Sequence, residues 1–298
     1  MHNQANDQVS GSGIQSPRPD VAVNEVLISG REMLRQKRRA LVLGDAGSVW
    51  LQDRDIRYDV RDLKRNGVVA GLGMMGGIDL FVLVRHGNMQ TIYRCSLSER
   101  GSATAIQTRT GDLRKIAVAH GGILLALDTT GNLWSYRLDS DCKEWVFERG
   151  EVEDVGASGS PIIWLVTTSP RYGGRVVVTR DVVTGREFTL PSPASAIKVA
   201  VGPDGLGWSI NAFGDVWRLH PKGAGHFDEC QVDTACTKCR AGLSEFRALD
   251  VAVDSERRLF VLAEHKGDLR RRVLECEPGV VAPVRASEPG SALYIAAG

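Results

Sequence analysis

The stretch Lys115-Ile-Ala-Val-Ala-His-Gly-Gly-Ile-Leu-Leu-Ala-Leu-Asp-Thr-Thr-Gly-Asn-Leu-Trp134 decides the fold. It opens on a β-branched residue followed by small or β-branched neighbours, Ile116-Ala-Val, continues as an apolar strand and turns at Gly131-Asn. The opening recurs along the chain as Val69-Ala-Gly, Val155-Gly-Ala, Val199-Ala-Val, Val251-Ala-Val and Ile295-Ala-Ala. Successive copies, counted from Val69, are 47, 39, 44, 52 and 44 residues apart. A period in the forties with a short hairpin inside it is the signature of a four-stranded propeller blade, so the expected fold is an all-β, six-bladed β-propeller.

A second motif follows most of these anchors. It reads Gly87-Asn-Met-Gln, Gly131-Asn-Leu-Trp, Gly214-Asp-Val-Trp and Gly267-Asp-Leu-Arg, with a weaker Gly174-Arg-Val-Val. Glycine beside Asn or Asp is the chemistry of a tight hairpin, here the turn between the second and third strands of a blade. Gly47-Ser-Val-Trp has no anchor before it, and Leu293-Tyr-Ile-Ala-Ala has no hairpin after it. The two halves complement each other. A strand over about Ser291–Ala297 is expected to be the innermost strand of a blade whose outer strands come from Arg39–Arg65, closing the ring and removing exposed sheet edges.

Composition fits this architecture. The 298 residues include 33 glycines, suited to many turns, and 43% hydrophobic residues to fill the space between blades. With 37 basic against 36 acidic residues, a global electrostatic grip on nucleic acid is not expected. No apolar run approaches the ~18 residues that span a bilayer, and the polar N-terminus lacks the apolar core of a secretory signal, so a cytoplasmic location is expected. Residues 1–22 read as a disordered tail. In residues 23–38, Val23, Val26, Leu27, Met33 and Leu34 recur at helical spacing, which predicts an amphipathic arm that packs on the rim or docks a partner. The propeller itself takes residues 39–298.

A Cys-rich loop at 226–240 falls in the longest interval between anchors. His226, Cys230, Cys236 and Cys239 offer an imidazole and three thiols at a spacing that could hold a structural Zn²⁺. Ordinary reduced thiols, or a disulfide or redox role, are the alternatives. Trp50, Trp134 and Trp217 occupy one position after the hairpin glycine, and Trp208 lies earlier in its blade. They are candidates for packing between blades or for a ligand surface, since an indole ring can stack on a sugar. Gly71-Leu-Gly-Met-Met-Gly has dinucleotide-fingerprint spacing but is read as a flexible link between two strands, because no βαβ unit surrounds it. No catalytic motif emerges, and the chain is read as a non-enzyme.

The segment Ile197-Lys-Val-Ala-Val-Gly-Pro-Asp-Gly-Leu-Gly-Trp-Ser-Ile-Asn-Ala-Phe-Gly-Asp-Val-Trp-Arg-Leu resembles a repeat of the tectonin family of propeller lectins. Leu249-Asp-Val-Ala-Val-Asp-Ser-Glu-Arg-Arg-Leu-Phe-Val-Leu-Ala is similar to an NHL-type propeller repeat. The first resemblance implies glycan binding between blades, the second protein or RNA binding. Taken with the irregular blades, the arm and the lateral loop, the expected function is a non-enzymatic scaffold for a partner protein. A tectonin-like lectin is the second reading, and a propeller hydrolase or lactonase the third.

Overall fold

The computed structural model describes residues 41–44, 48–51, 56–59, 68–75, 79–96, 103–106, 112–190, 196–221, 230–232, 245–254, 257–277, 280–283 and 292–296. The expected tail and amphipathic helix, over residues 1–38, lie outside them.

Among the described residues every sheet has four antiparallel strands. The chain begins with β1 (Leu41–Gly44), β2 (Ser48–Leu51) and β3 (Ile56–Asp59). Five blades of consecutive strands follow. The first holds β4 (Val68–Met75), β5 (Asp79–His86), β6 (Met89–Ser96) and β7 (Ala103–Ile106). The next holds β8 (Leu113–Ala119), β9 (Ile123–Asp128), β10 (Leu133–Arg137) and β11 (Val146–Arg149). It is followed by β12 (Val152–Gly156), β13 (Ile162–Ser169), β14 (Gly174–Asp181) and β15 (Glu187–Leu190). Then come β16 (Ala196–Val201), β17 (Gly207–Asn211), β18 (Val216–Pro221) and β19 (Cys230–Val232). The last consecutive set is β20 (Phe246–Val253), β21 (Leu259–His265), β22 (Arg271–Glu277) and β23 (Val280–Pro283). The remaining strand, β24 (Ala292–Ala296), pairs with β1 in the order β24-β1-β2-β3, with Val42 opposite Ile295. This is a β-propeller in which five blades are continuous in sequence and a further sheet joins strands from the two ends of the chain.

Each blade is sandwiched between two others, which explains why second strands such as β5, β9, β13 and β21 carry long apolar runs. All of β9 is buried. Successive side chains in a strand point to opposite faces, so Leu124 and Ala126 pack with Phe81, Leu83 and Ile92 of the preceding blade, whereas Leu125 and Leu127 pack with Val155, Ile163 and Leu165 of the following one. The same alternation sends Val199 toward Trp164 and Ala200 toward Val251.

The crowded axis explains the anchor motif. A Cβ on Gly156 would lie 2.8 Å from the Val199 carbonyl oxygen and 3.0 Å from Ala200 Cα, so the inner strands touch backbone to backbone and the residue after each anchor must be small. Register corrects one anchor. Each inner strand of the continuous blades carries a β-bulge, between Val69 and Gly71, Leu113 and Lys115, Val152 and Asp154, Ala196 and Lys198, and Ala248 and Asp250. Counted from the bulge, the counterpart of Ile116 in β4 is Leu72, with Gly73 as the small residue; Val69 lies before the bulge. Gly71–Met75 therefore belongs to a strand and is not a link between strands.

Candidate functional site

The central channel is narrow. It is lined by Leu72, Ile116, Val155, Val199, Val251 and Ile295 with their neighbours, and encloses about 60 Å³. That is room for a few waters, not for an extended substrate.

A larger cavity, about 280 Å³, opens between the β8–β11 and β12–β15 blades. Ile123, Leu125, Leu133 and Ile163 form its apolar floor. In β10 and β11, Ser135 stands opposite Val146 and Leu133 opposite Arg149, while a bulge leaves Glu148 unpaired and turned into the groove. In the next blade Arg180 stands opposite Glu187, which puts both on one face. The four charges join across the groove. Ser135 Oγ donates to Glu148 Oε1 at 2.5 Å, and Arg180 Nη2 donates to Glu148 Oε2 at 2.6 Å. Arg149 Nη1 donates to Glu187 Oε2 at 2.5 Å, and Arg180 Nη1 lies 3.5 Å from Glu187 Oε1. Partly buried and mutually hydrogen-bonded, these groups make a rigid polar wall.

The outer parts of the same two blades are apolar on the outside. Val146, on the groove, is 57% exposed, and Val183, next to the lining Val182, is 72% exposed. Phe147 and Phe188, on β11 and β15, are also exposed. The connection from β10 to β11 contributes Ser140, Cys142 and Glu144 to the groove.

The sequence-predicted residues do not gather into one site. Trp50 lies in β2, opposite Val42 and Arg57. Trp134 meets Phe147 edge to face at 5.1 Å, and its indole N–H donates to Asp128 Oδ2 at 3.1 Å. Trp208 stands opposite Arg218, whose guanidinium lies 5.5 Å from its ring centre, while Trp217 stands opposite Ser209. Trp208 and Trp217 thus occupy opposite faces of one sheet and cannot share a pocket. Cys230 starts β19, opposite Pro221; His226, Cys236 and Cys239 lie outside the described residues. Among the described residues no three His, Cys, Asp or Glu side chains form a metal-binding group. Cys95, Cys142 and Cys276 are unpaired thiols, and burial pushes the Cys95 thiol up to about 11, which makes it unreactive near neutrality.

Sequence reasoning missed Glu148, Arg149, Arg180 and Glu187. They come from two blades, and one of them faces the groove through a bulge in an outer strand, so no spacing in the sequence joins them. It also missed Trp164, fully buried, whose ring lies 2.6 Å from where a Cβ on Gly207 would stand. The signal was available in the Gly205-Leu-Gly207 pair of the next blade.

No family model matches the chain, and no curated protein does. Solved structures do. TolB from Acinetobacter baumannii superposes with a TM-score of 0.58 at 11% identity, covering 86% of this chain and 65% of that one. Putative TolB from Agrobacterium tumefaciens gives 0.56 at 11%, covering 86% and 91%. A nidogen/laminin complex gives 0.56 at 10%, covering 87% and 98%. At such identities the likeness shows the fold. Among the described residues no helix is long and apolar enough to cross a membrane.

Proposed function

We propose that this protein is a non-catalytic, cytoplasmic β-propeller of six blades, counting the composite sheet as the sixth, that binds a partner protein through the groove between the β8–β11 and β12–β15 blades. The observation that carries the reading is the pairing of a preformed polar wall, Glu148–Arg180–Glu187–Arg149, with exposed Val146 and Val183 beside it. Exposed apolar side chains next to fixed hydrogen-bonding groups are the usual make-up of a protein-binding surface. A protein of similar fold is known in complex with laminin, which supports a binding role for the architecture without naming this partner.

The lectin reading has less support. A sugar-binding tryptophan needs a free ring face and an available N–H, whereas the Trp134 N–H is directed at Asp128 and the Trp217 N–H is buried. A structural zinc at His226, Cys230, Cys236 and Cys239 belongs to the same proposal; elemental analysis of the purified chain beside a Cys236→Ser, Cys239→Ser variant tests it, equal zinc in both removing it.

The docking surface is tested by quantitative affinity isolation with the full chain and a Val146→Asp, Val183→Asp variant. Both positions are solvent-facing, so the variant keeps the wild-type melting temperature. A stoichiometric protein recovered with the wild type and reduced at least tenfold with the variant supports the reading. Equal recovery with both, or no stoichiometric protein with either, overturns it.

A further inference from the structure

A ring of charges occupies one end of the channel. The residue after the bulge in each inner strand is Gly71 in β4, Lys115 in β8, Asp154 in β12, Lys198 in β16 and Asp250 in β20. Four consecutive blades thus present lysine, aspartate, lysine and aspartate at equivalent places. Each stands two residues before Ala117, Gly156, Ala200 or Ala252, shares that residue's face, and so points toward the next blade.

The contacts are unequal. Lys115 Nζ donates to both Asp154 oxygens, at 2.8 and 2.9 Å, and the Val199 N–H donates to Asp154 Oδ2 at 2.9 Å. Asp154, 1% exposed, is fully satisfied. Lys198 Nζ is 3.6 Å from Asp154 Oδ1, too far for a good hydrogen bond, and its side chain is 35% exposed. An ammonium carries more donors than this one neighbour can take. Asp250 Oδ1 accepts the Val251 N–H at 3.1 Å, and both lysines act on its charge. Arg114, exposed beside them, anchors one nitrogen on the Val152 and Glu153 carbonyls at 2.9 and 2.8 Å and adds a third cation. Lys115 also lines the small channel cavity.

Burial pushes the Asp250 carboxyl up, against the pull of Lys115 and Lys198 and with that of Asp154. Asp154 holds the Lys198 ammonium charged, overcoming its burial, with Asp250 adding to the effect. Three cations, Lys115, Lys198 and Arg114, thus stand against two carboxylates, and Lys198, partly exposed and 3.6 Å from its nearest carboxylate oxygen, is the one with donors to spare. We propose that this channel mouth binds a small anionic group, a carboxylate or a phosphate, with Lys198 as the principal contact and Lys115 and Arg114 beside it. The groove between blades plays no part in this, so the two sites stand or fall separately.

The test is calorimetric titration of the full chain with inorganic phosphate and, separately, with succinate, at constant ionic strength against a chloride control. Saturable binding of at least one anion is expected, weakened tenfold or more in Lys198→Gln and unchanged in Lys143→Gln, a lysine of the distant β10–β11 connection. Arg114→Gln, which leaves the Lys115–Asp154 pair in place, is the second variant should Lys198→Gln unfold; it should weaken binding about threefold. Response to phosphate alone assigns a phosphate ligand, and response to succinate alone a carboxylate. Heats equal to the chloride control with both anions overturn the proposal, as does undiminished affinity in Lys198→Gln, or in Arg114→Gln where that variant stands in.

Discussion

A comparison of two hairpins shows how much one atom matters. In the β9–β10 turn, Asp128 Oδ1 accepts the Thr130 N–H at 3.0 Å, the Thr130 hydroxyl at 2.7 Å and the Asn132 N–H at 2.8 Å, and Oδ2 accepts the Trp134 indole. Burial opposes ionisation of this carboxyl, but hydrogen bonds from Thr130, Asn132 and Trp134 outweigh it and bring its pKa down to about 2. The stabilisation it gives is therefore complete above the unfolded value, about 4, and fades as pH falls from there through about 2. Asp128→Ala should cost about 2 kcal/mol at pH 7 and much less at pH 2, read from urea melts at the two pH values. In the β17–β18 turn the acid and amide are exchanged. Asn211 Oδ1 accepts the Phe213 and Asp215 N–H groups at 3.0 and 2.9 Å, and its amide donates to Asp215 Oδ2 at 3.1 Å. That leaves the buried Trp217 indole N–H without a partner, since the amide nitrogen beside it can only donate. The double variant Asn211→Asp, Asp215→Asn recreates the other turn and should stabilise the protein by about 1 kcal/mol, seen as a melting temperature a few degrees higher; an unchanged or lower value would refute this account of the turn.

At the scale of elements, the inner strands are held by contact between backbones, which side chains must not obstruct. Gly156→Ala would force a Cβ to 2.8 Å from the Val199 carbonyl oxygen, and neither strand can retreat without opening the ring. We expect a loss of about 3 kcal/mol in chemical denaturation. Gly159→Ala is the control: nothing lies within 4 Å of its Cβ position, so its effect should stay within about 0.5 kcal/mol. The anchor repeat and its hairpins were legible for this reason, since a small residue at the axis and a turn residue at the rim are demands each blade makes on its own sequence. The slip at Val69 has the same origin in reverse. Val69-Ala-Gly carries the right residue types, and only pairing with β5 reveals that the bulge precedes Leu72.

For the whole molecule, closure depends on one short strand. β24 pairs with β1, and Ile295 reaches the channel lining alongside Leu72 and Val251. Removing residues 291–298 deletes an innermost strand and exposes the edges of its neighbours, so the chain should lose its single cooperative melting transition and aggregate at a lower temperature. A truncated chain that melts as sharply and as high as the full one would show that β24 is dispensable.

The sequence by itself determined what each blade needs locally: apolar second strands, turn residues at hairpins, small residues beside the axis, and the complementary half-motifs at Gly47 and Leu293. Each of these is written at a repeating position in a blade's own residues, even where the demand comes from the next blade, and so is within reach of a pattern of spacing. Tertiary structure alone decided what is made between blades. The Glu148–Arg180–Glu187–Arg149 wall joins residues that no repeat spacing links, while Lys115, Asp154, Lys198 and Asp250 each stand one residue before an anchor but meet only because the inner strands converge. Their partners are fixed by bulges, register and the rotation from one blade to the next, which act through space and leave little mark on the order of residues along the chain.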